Sequence, residues 1–312
     1  MNASGRLPKV TIVGAGNVGA NTALLLLLKG LANVVLVDVA GDLARGKALD
    51  LMHMRSNEQF GPTVIGTDDY DDTADSDIVV ITAGLPRRPG MTREDLLDAN
   101  AGIVRSVLNG ALAASPDALF LFVTNPLDVM VNLAYALAGL PSERLFGMGG
   151  VLDTARFVHA ISEATNSAPA DIEALVIGAH GTEMVPLPRL ATVEGTPLIE
   201  RLDTAGVERV VEETVGGGAA VVELLKTGSA FYAPASSVAR MVAELLRPSG
   251  AILSVCARLE GHYGISDVYM CVPAILGTRG VERIVELELD AEELAALRNS
   301  ANSIKAQLAH LL

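Results

Sequence analysis

Residues 9–19 read KVTIVGAGNVG, a short apolar run passing directly into Gly14-Ala15-Gly16-Asn17-Val18-Gly19 and then into NTALLLLLK. A β-branched run, a glycine turn and a helical stretch make a strand–turn–helix unit. Each glycine has a separate use. Gly14 permits the tight turn, Gly16 lets the backbone approach a pyrophosphate, and Gly19 lets the helix pack closely on the strand. The helix beginning near Asn17 and Val18 offers unpaired N–H groups and partial positive charge to phosphates. A lone G-x-G-x-x-G is weak evidence, so the surrounding pattern has to carry it.

The pattern does so. A second run, VVLVD, ends at Asp38, 19 residues beyond Gly19. A carboxylate there can accept both ribose hydroxyls of an adenosine and repels a 2′-phosphate, and Val39 and Ala40 offer such a phosphate no partner. NAD is therefore expected rather than NADP. Strand candidates at Lys9–Val13, Val34–Asp38, Val64–Gly66, Ile78–Thr82 and Leu119–Val123 alternate with helix candidates at Asn17–Lys29, Leu43–Met54, Arg93–Ala114 and Pro126–Ala138. Alternation of this kind predicts right-handed βαβ units, and the uniformly apolar runs VTIV, VVLV, IVVIT and LFLFV predict strands covered on both faces. Arg144–Met148 supplies a sixth strand. The expected fold is α/β: a Rossmann doubly wound parallel sheet over residues 1–148, followed by an α+β substrate or catalytic domain over 149–312.

Beyond residue 148 the rhythm changes. Helices are expected at Val151–Glu163, Val207–Leu225 and Ala233–Leu246, and a strand at Ala174–Gly178. Ile252–Arg258 and Val268–Val272 look antiparallel, and a last helix, Asp290–Leu311, has Asp290 as its N-cap.

Composition narrows the function classes. The 312 residues carry a formal net charge of −14, and half are hydrophobic, with only 4% aromatic. The acidic balance argues against nucleic acid and anionic membrane surfaces as partners. The longest apolar run, Ala23–Leu28, falls short of a membrane helix. The start, MNASGRLPKV, lacks an apolar signal region. Cys256 and Cys271 form neither a disulfide framework nor a metal spacing, so no metal is expected. These features together suggest a cytoplasmic protein.

Among five histidines, His180 stands out. It follows the buried-looking run LVIGA and precedes Gly181, where a titratable side chain at a strand end is a site candidate. His53 and His159 sit within helical patterns and His310 near the tail. Asp153 and Arg156, in LDTARF, lie three apart on a predicted helix and share a face. The pair by itself reads as an intrahelical ion pair, but Asp153 could hold His180 while Arg156 reaches an anionic substrate. Asn125, in VTNP at the carboxyl end of the fifth strand, can offer an amide there, where open α/β sheets bind ligands.

The segment 84–94, GLPRRPGMTRE, remains to be explained: three arginines within seven residues of an acidic chain. In order, GAGNVG, Asp38, PRRPGMTREDLL, VTNP, LDTARF, GAHGTEMVP, KTGSAFYAP and YGISDVYMCVPAILG resemble the lactate/malate dehydrogenase family. More narrowly, they resemble its malate dehydrogenases of the lactate dehydrogenase-like type. The resemblance implies roles. His180 is the general acid/base, paired with Asp153, and Arg156 forks a substrate carboxylate. Arg93 polarises the reacting carbonyl from an active-site lid. Asn125 binds substrate near the nicotinamide, next to Val123, and Asn100 contacts cofactor or substrate. Arg87 falls where lactate-specific relatives carry glutamine, and an arginine there matches a second carboxylate. Arg88 would then point to solvent.

One departure is Thr182, where relatives usually carry an acid. Two other stretches, MHMRSN and the start MNASGRLP, also depart from the family pattern but touch none of these roles. The implied activity is NAD-dependent oxidation of malate to oxaloacetate by a homodimer or homotetramer. The alternatives are a lactate dehydrogenase or broad 2-oxoacid reductase, an NAD-using glycosidase, which would need a Cys/His metal site, and a non-catalytic NAD-binding protein.

Overall fold

The computed structural model describes residues 6–85 and 92–311. Among them, the nucleotide half is built from strands β1 (Lys9–Val13), β2 (Asn33–Val37), β3 (Val64–Thr67), β4 (Ile78–Ile81), β5 (Leu119–Phe122) and β6 (Leu145–Gly147). Helices α1 (Asn17–Leu28), α2 (Gly41–His53), the single turn α3 (Arg55–Glu58), α4 (Arg93–Ala114) and α5 (Leu127–Ala138) join them. The second half holds α6 (Gly150–Thr165), β7 (Ile172–Glu173), β8 (Val176–Gly178), β9 (Met184–Pro186), β10 (Thr192–Val193) and β11 (Thr196–Pro197). It continues through α7 (Leu198–Arg201), α8 (Thr204–Leu225), α9 (Tyr232–Leu246), β12 (Ile252–Glu260), β13 (Ser266–Gly277), β14 (Gly280–Ile284) and α10 (Ala291–Leu308).

The first six strands are parallel in the order β3-β2-β1-β4-β5-β6, the dinucleotide-fold order. Their uniformly apolar sequences follow from burial on both faces. In β4, Ile78 and Val80 join one core cluster, while Val79 and Ile81 join the other, against Leu97, Val104 and Leu108 of α4. In β5, Leu119 and Leu121 alternate with Phe120 and Phe122 in the same way.

The sheet does not stop at β6. Strand β12 pairs with it antiparallel, and β13, β8 and β9 extend the sheet, with β14 on β13. A separate three-stranded sheet runs β11-β10-β7. A buried side chain also ties the halves together: Asn132 of α5 donates to Tyr269 O at 3.0 Å and accepts from Tyr269 N at 2.9 Å, as a neighbouring strand would.

The predicted elements are present, with shifted ends. Asp290 caps α10 as expected, accepting from Glu292 N and Glu293 N at 2.9 Å each, but the helix stops at Leu308. Helix α8 starts three residues earlier than the periodicity implies, because Asp203 caps it by accepting from Gly206 N at 2.8 Å. The sequence pattern gives no sign of β7, β9, β10, β11 or β14. All but β14 are two or three residues long, too short for an alternation to register.

Candidate active site

The glycine turn lies at the carboxyl edge of the parallel sheet. Gly14 has φ +104°, a conformation that side chains rarely adopt, and its N–H donates to Val37 O at 2.8 Å. A Cβ on Gly19 would run into the Gly14 carbonyl oxygen, whereas one on Gly16 would meet nothing within 4 Å. Gly16 and Asn17 are exposed, Val18 half-buried, and no side chain caps α1. The first-turn N–H groups of α1 are thus free of a side-chain acceptor and reachable, the arrangement a pyrophosphate fits.

Asp38 immediately follows β2. Its Oδ2 accepts from Ala15 N at 2.7 Å and its Oδ1 from Ala40 N at 2.9 Å. The carboxylate is anchored to the glycine turn itself and stays half-exposed beside it. Two further residues, not evident from the sequence, brace the turn. Thr82 Oγ1 lies 3.1 Å from both Val13 O and Gly14 O, and Lys47 Nζ donates to Ala15 O at 2.7 Å.

The titratable groups converge from separate elements. Asp153, in the first turn of α6, is 1% exposed. Its Oδ2 lies 2.7 Å from His180 Nδ1, and its Oδ1 accepts from Arg156 Nη1 at 3.1 Å. One buried carboxylate therefore orients both the imidazole and the guanidinium. Burial by itself would lower the His180 pKa. The charge and hydrogen bond of Asp153 outweigh it, Asp128 adds to them and Arg156 opposes, so the net shift is upward. With Nδ1 held by Asp153, Nε2 is the nitrogen left to exchange a proton.

Sequence reasoning passed over Asp128. It opens α5, is 4% exposed, and its Oδ2 accepts the His180 N–H at 2.8 Å. Burial pushes its carboxyl up to about 6. An acid in the first turn of the otherwise apolar LDVMV was the available signal. Arg156 also owes its place to α8: a Cβ on Gly217 would meet Arg156 Cδ at 3.3 Å, and one on Gly218 the guanidinium at 3.5 Å.

A cavity of about 660 Å³ opens onto this cluster, lined by Asn125, Asp128, His180, Thr182 and Glu183 among others. Asn125 is exposed at its mouth, with half-buried Val123 two residues before it. Thr182 brings no charge, but its neighbour Glu183 lines the same cavity and is fixed by Ser303 Oγ at 3.0 Å. A second cavity, about 850 Å³, lies at the other end of the strands, against Ile78 and Leu119, away from these groups.

Asn100 is 1% exposed, and its amide braces the chain. Oδ1 accepts from Leu85 N at 2.7 Å, and Nδ2 donates to Leu85 O at 3.2 Å and Asn125 O at 2.7 Å. It ties the end of the β4 segment to the loop after β5. Arg87 and Arg88 lie outside the described residues. Arg93 opens α4, but its side chain also lies outside them. The α4 start is fixed by a capping box: Thr92 Oγ1 accepts from Asp95 N at 3.0 Å, and Asp95 Oδ2 from Thr92 N at 2.9 Å. Leu85 and Thr92 are thus each fixed by hydrogen bonds, and Glu94, in the first turn of α4, lines the cavity.

A dinucleotide cradle at the carboxyl edge of a parallel sheet, facing a histidine–carboxylate–arginine cluster, defines a nicotinamide-dependent oxidoreductase class of site. The comparisons are specific. Residues 8–147 match the lactate/malate dehydrogenase NAD binding domain and residues 150–312 the lactate/malate dehydrogenase alpha/beta C-terminal domain. The chain belongs to the lactate/malate dehydrogenase family. It is 50% identical over 302 residues to a malate dehydrogenase of Nostoc punctiforme, spanning 97% of this chain and 92% of that one. The malate dehydrogenase structure from Salinibacter ruber superposes with TM-score 0.93 at 43% identity, covering 97% of each chain. A Cryptosporidium parvum lactate dehydrogenase complexed with lactic acid and nicotinamide adenine dinucleotide superposes with TM-score 0.95 at 38% identity, covering 98% of each. Likeness of backbone alone thus spans both substrate types. No helix of the described residues is long and apolar enough to cross a membrane.

Proposed function

We propose that the protein is an NAD-dependent malate dehydrogenase, interconverting malate and oxaloacetate. The observation that carries the chemistry is Asp153 bridging His180 Nδ1 and Arg156 Nη1. When bound, the nicotinamide would supply the hydride acceptor for C2 of malate and, reduced, the hydride donor for oxaloacetate. His180 Nε2 takes the hydroxyl proton during oxidation and donates it during reduction. Asp153 fixes the ring's tautomer and stabilises its charged form. Arg156 grips the carboxylate beside the reacting carbon in a two-toothed contact. Arg93 steadies the oxygen that becomes negative in the transition state.

Gly14, Gly16, Asn17, Val18 and Gly19 hold the pyrophosphate and Asp38 the ribose, while Val123 and Asn125 sit by the nicotinamide. Asn100 serves the site by holding the roots of the lid. Arg87 pairs with the second carboxylate of the substrate. Near-equal superposition on malate and lactate dehydrogenases leaves substrate choice to single side chains, and Arg87 is the residue in this chain that a dicarboxylate requires. The functional division falls near residue 148, the setting is cytoplasmic, and exposed Leu43 and Leu49 on α2 and Leu224 on α8 support a homodimer or homotetramer.

The test follows NADH absorbance with oxaloacetate and with pyruvate at equal concentrations. Oxaloacetate is expected to be reduced far faster, and Arg87→Gln to move the ratio toward pyruvate by about 10²-fold or more, because an unpaired buried charge is costly. A wild-type preference for pyruvate, or an unchanged ratio in the variant, would remove Arg87 from substrate selection.

A further inference from the structure

Cys256 of β12 and Cys271 of β13 are register partners in the antiparallel ladder, and both are fully buried. Sequence spacing gives them no metal pattern, but the fold sets them against Asp128. One ligand atom from each of Asp128, Cys256 and Cys271 lies within 4.8 Å of the other two.

Three features point to a cation here. First, the two oxygens of Asp128 are unequally served. Oδ2 has the His180 N–H at 2.8 Å, but among the described residues Oδ1 has only the thiols, Cys256 Sγ at 3.5 Å and Cys271 Sγ at 4.0 Å. A thiol is a weak donor, so Oδ1 carries buried charge with little compensation and aims it between the sulfurs. Second, Gly150 N–H, in the first turn of the 16-residue α6, points at Cys271 Sγ at 3.1 Å. Such a donor can hold a ligating sulfur in place from outside the metal's own shell. Third, Asp128 also lines the 660 Å³ cavity, so one member of the cluster borders space open to solvent.

We propose that Cys256, Cys271 and Asp128 form a binding site for one thiophilic d10 metal ion of the Zn²⁺ or Cd²⁺ type, beneath the floor of the active-site cavity. Two sulfurs and one carboxylate with an open fourth position suit the tetrahedral preference of such an ion. Binding is proton exchange without redox change. Each thiol gives up its proton to solvent as its sulfur bonds the metal, so one divalent ion enters as two protons leave. Asp128 stays on His180 through Oδ2 and turns only Oδ1 to the metal.

The experiment titrates the full-length, reduced and chelator-treated protein with Cd²⁺, following ultraviolet thiolate-to-metal charge-transfer absorption and the bound stoichiometry by dialysis. The chain has only two cysteines, so any thiolate band from the native protein comes from this pair. The expected result is one tightly bound Cd²⁺ per chain with the band, and Cys256→Ala and Cys271→Ala each losing the band and at least about 100-fold in affinity. Activity with oxaloacetate in the metal-free variants shows that they are folded. A native protein that binds Cd²⁺ without the band, or takes up none, overturns the site whether or not the variants fold. So does equal affinity in wild type and both variants, which would assign the ion to surface carboxylates.

Discussion

The two halves of the molecule make their sites from different material. In the nucleotide half the proposed cofactor contacts are, Asp38 apart, main-chain N–H groups set by one continuous strand–turn–helix from Lys9 to Leu28. The histidine–carboxylate–arginine cluster is instead made of side chains, from α6 and the end of β8 with Asp128 reaching in from α5. A site made of backbone is tolerant of side-chain chemistry but not of shape. A site made of converging side chains is the reverse. Each should therefore fail in its own way.

The largest effect is expected at His180. His180→Asn should lower turnover with oxaloacetate by about 10³-fold or more, the upper range for a lost general acid, while NADH still quenches or shifts its fluorescence on binding. Turnover near wild type would remove His180 from the mechanism and blur the division between the halves. Asp153→Asn comes next, with a loss on the order of 10²-fold and a shift in pH dependence. Asp153 raises the His180 pKa, so the variant's imidazole loses its proton at lower pH. The alkaline fall in oxaloacetate reduction should move down in pH, as should the acid limb of malate oxidation. A kcat/KM profile with unmoved limbs would show that Asp153 only props the helix. The same linkage reaches stability. The bound proton on His180 favours the folded state fully below the ordinary value of 6.5, and that contribution is lost as pH rises through the raised one. The smallest effect is expected at the cradle. Gly19→Ala drives a methyl at the Gly14 carbonyl and should cost about 1–3 kcal/mol, seen as a lower Tm and weaker NADH binding. Wild-type NADH affinity in this variant would mean that the turn adapts more than a backbone-made site should.

The same contrast explains what the sequence disclosed. GAGNVG and Asp38 were legible because one stretch of chain carries both the residues and their geometry. His180 was legible from its strand end, and the Asp153–Arg156 pair from helical spacing. The Asp153–His180 contact, across 27 residues, was available only as a possibility and through the family resemblance, because no local pattern encodes it. Asp128 lies 52 residues from the main-chain N–H that it holds, and nothing local separates it from an ordinary first-turn acid. Asn100 was expected to contact cofactor or substrate, whereas its amide serves Leu85 and Asn125. The cysteines were set aside on spacing, and only the β12–β13 register brings them together.

Helix α5 belongs by chain order to the nucleotide half, yet Asn132 fills both main-chain hydrogen-bonding groups of Tyr269 and Asp128 holds His180. A fragment ending at residue 148 would keep that helix with a buried amide and a buried carboxylate stripped of their partners, beside a sheet edge left bare at β6. Such a fragment is a candidate for self-association through that edge rather than a free-standing module. The full chain should accordingly melt in a single cooperative step, with both halves gaining and losing their order together.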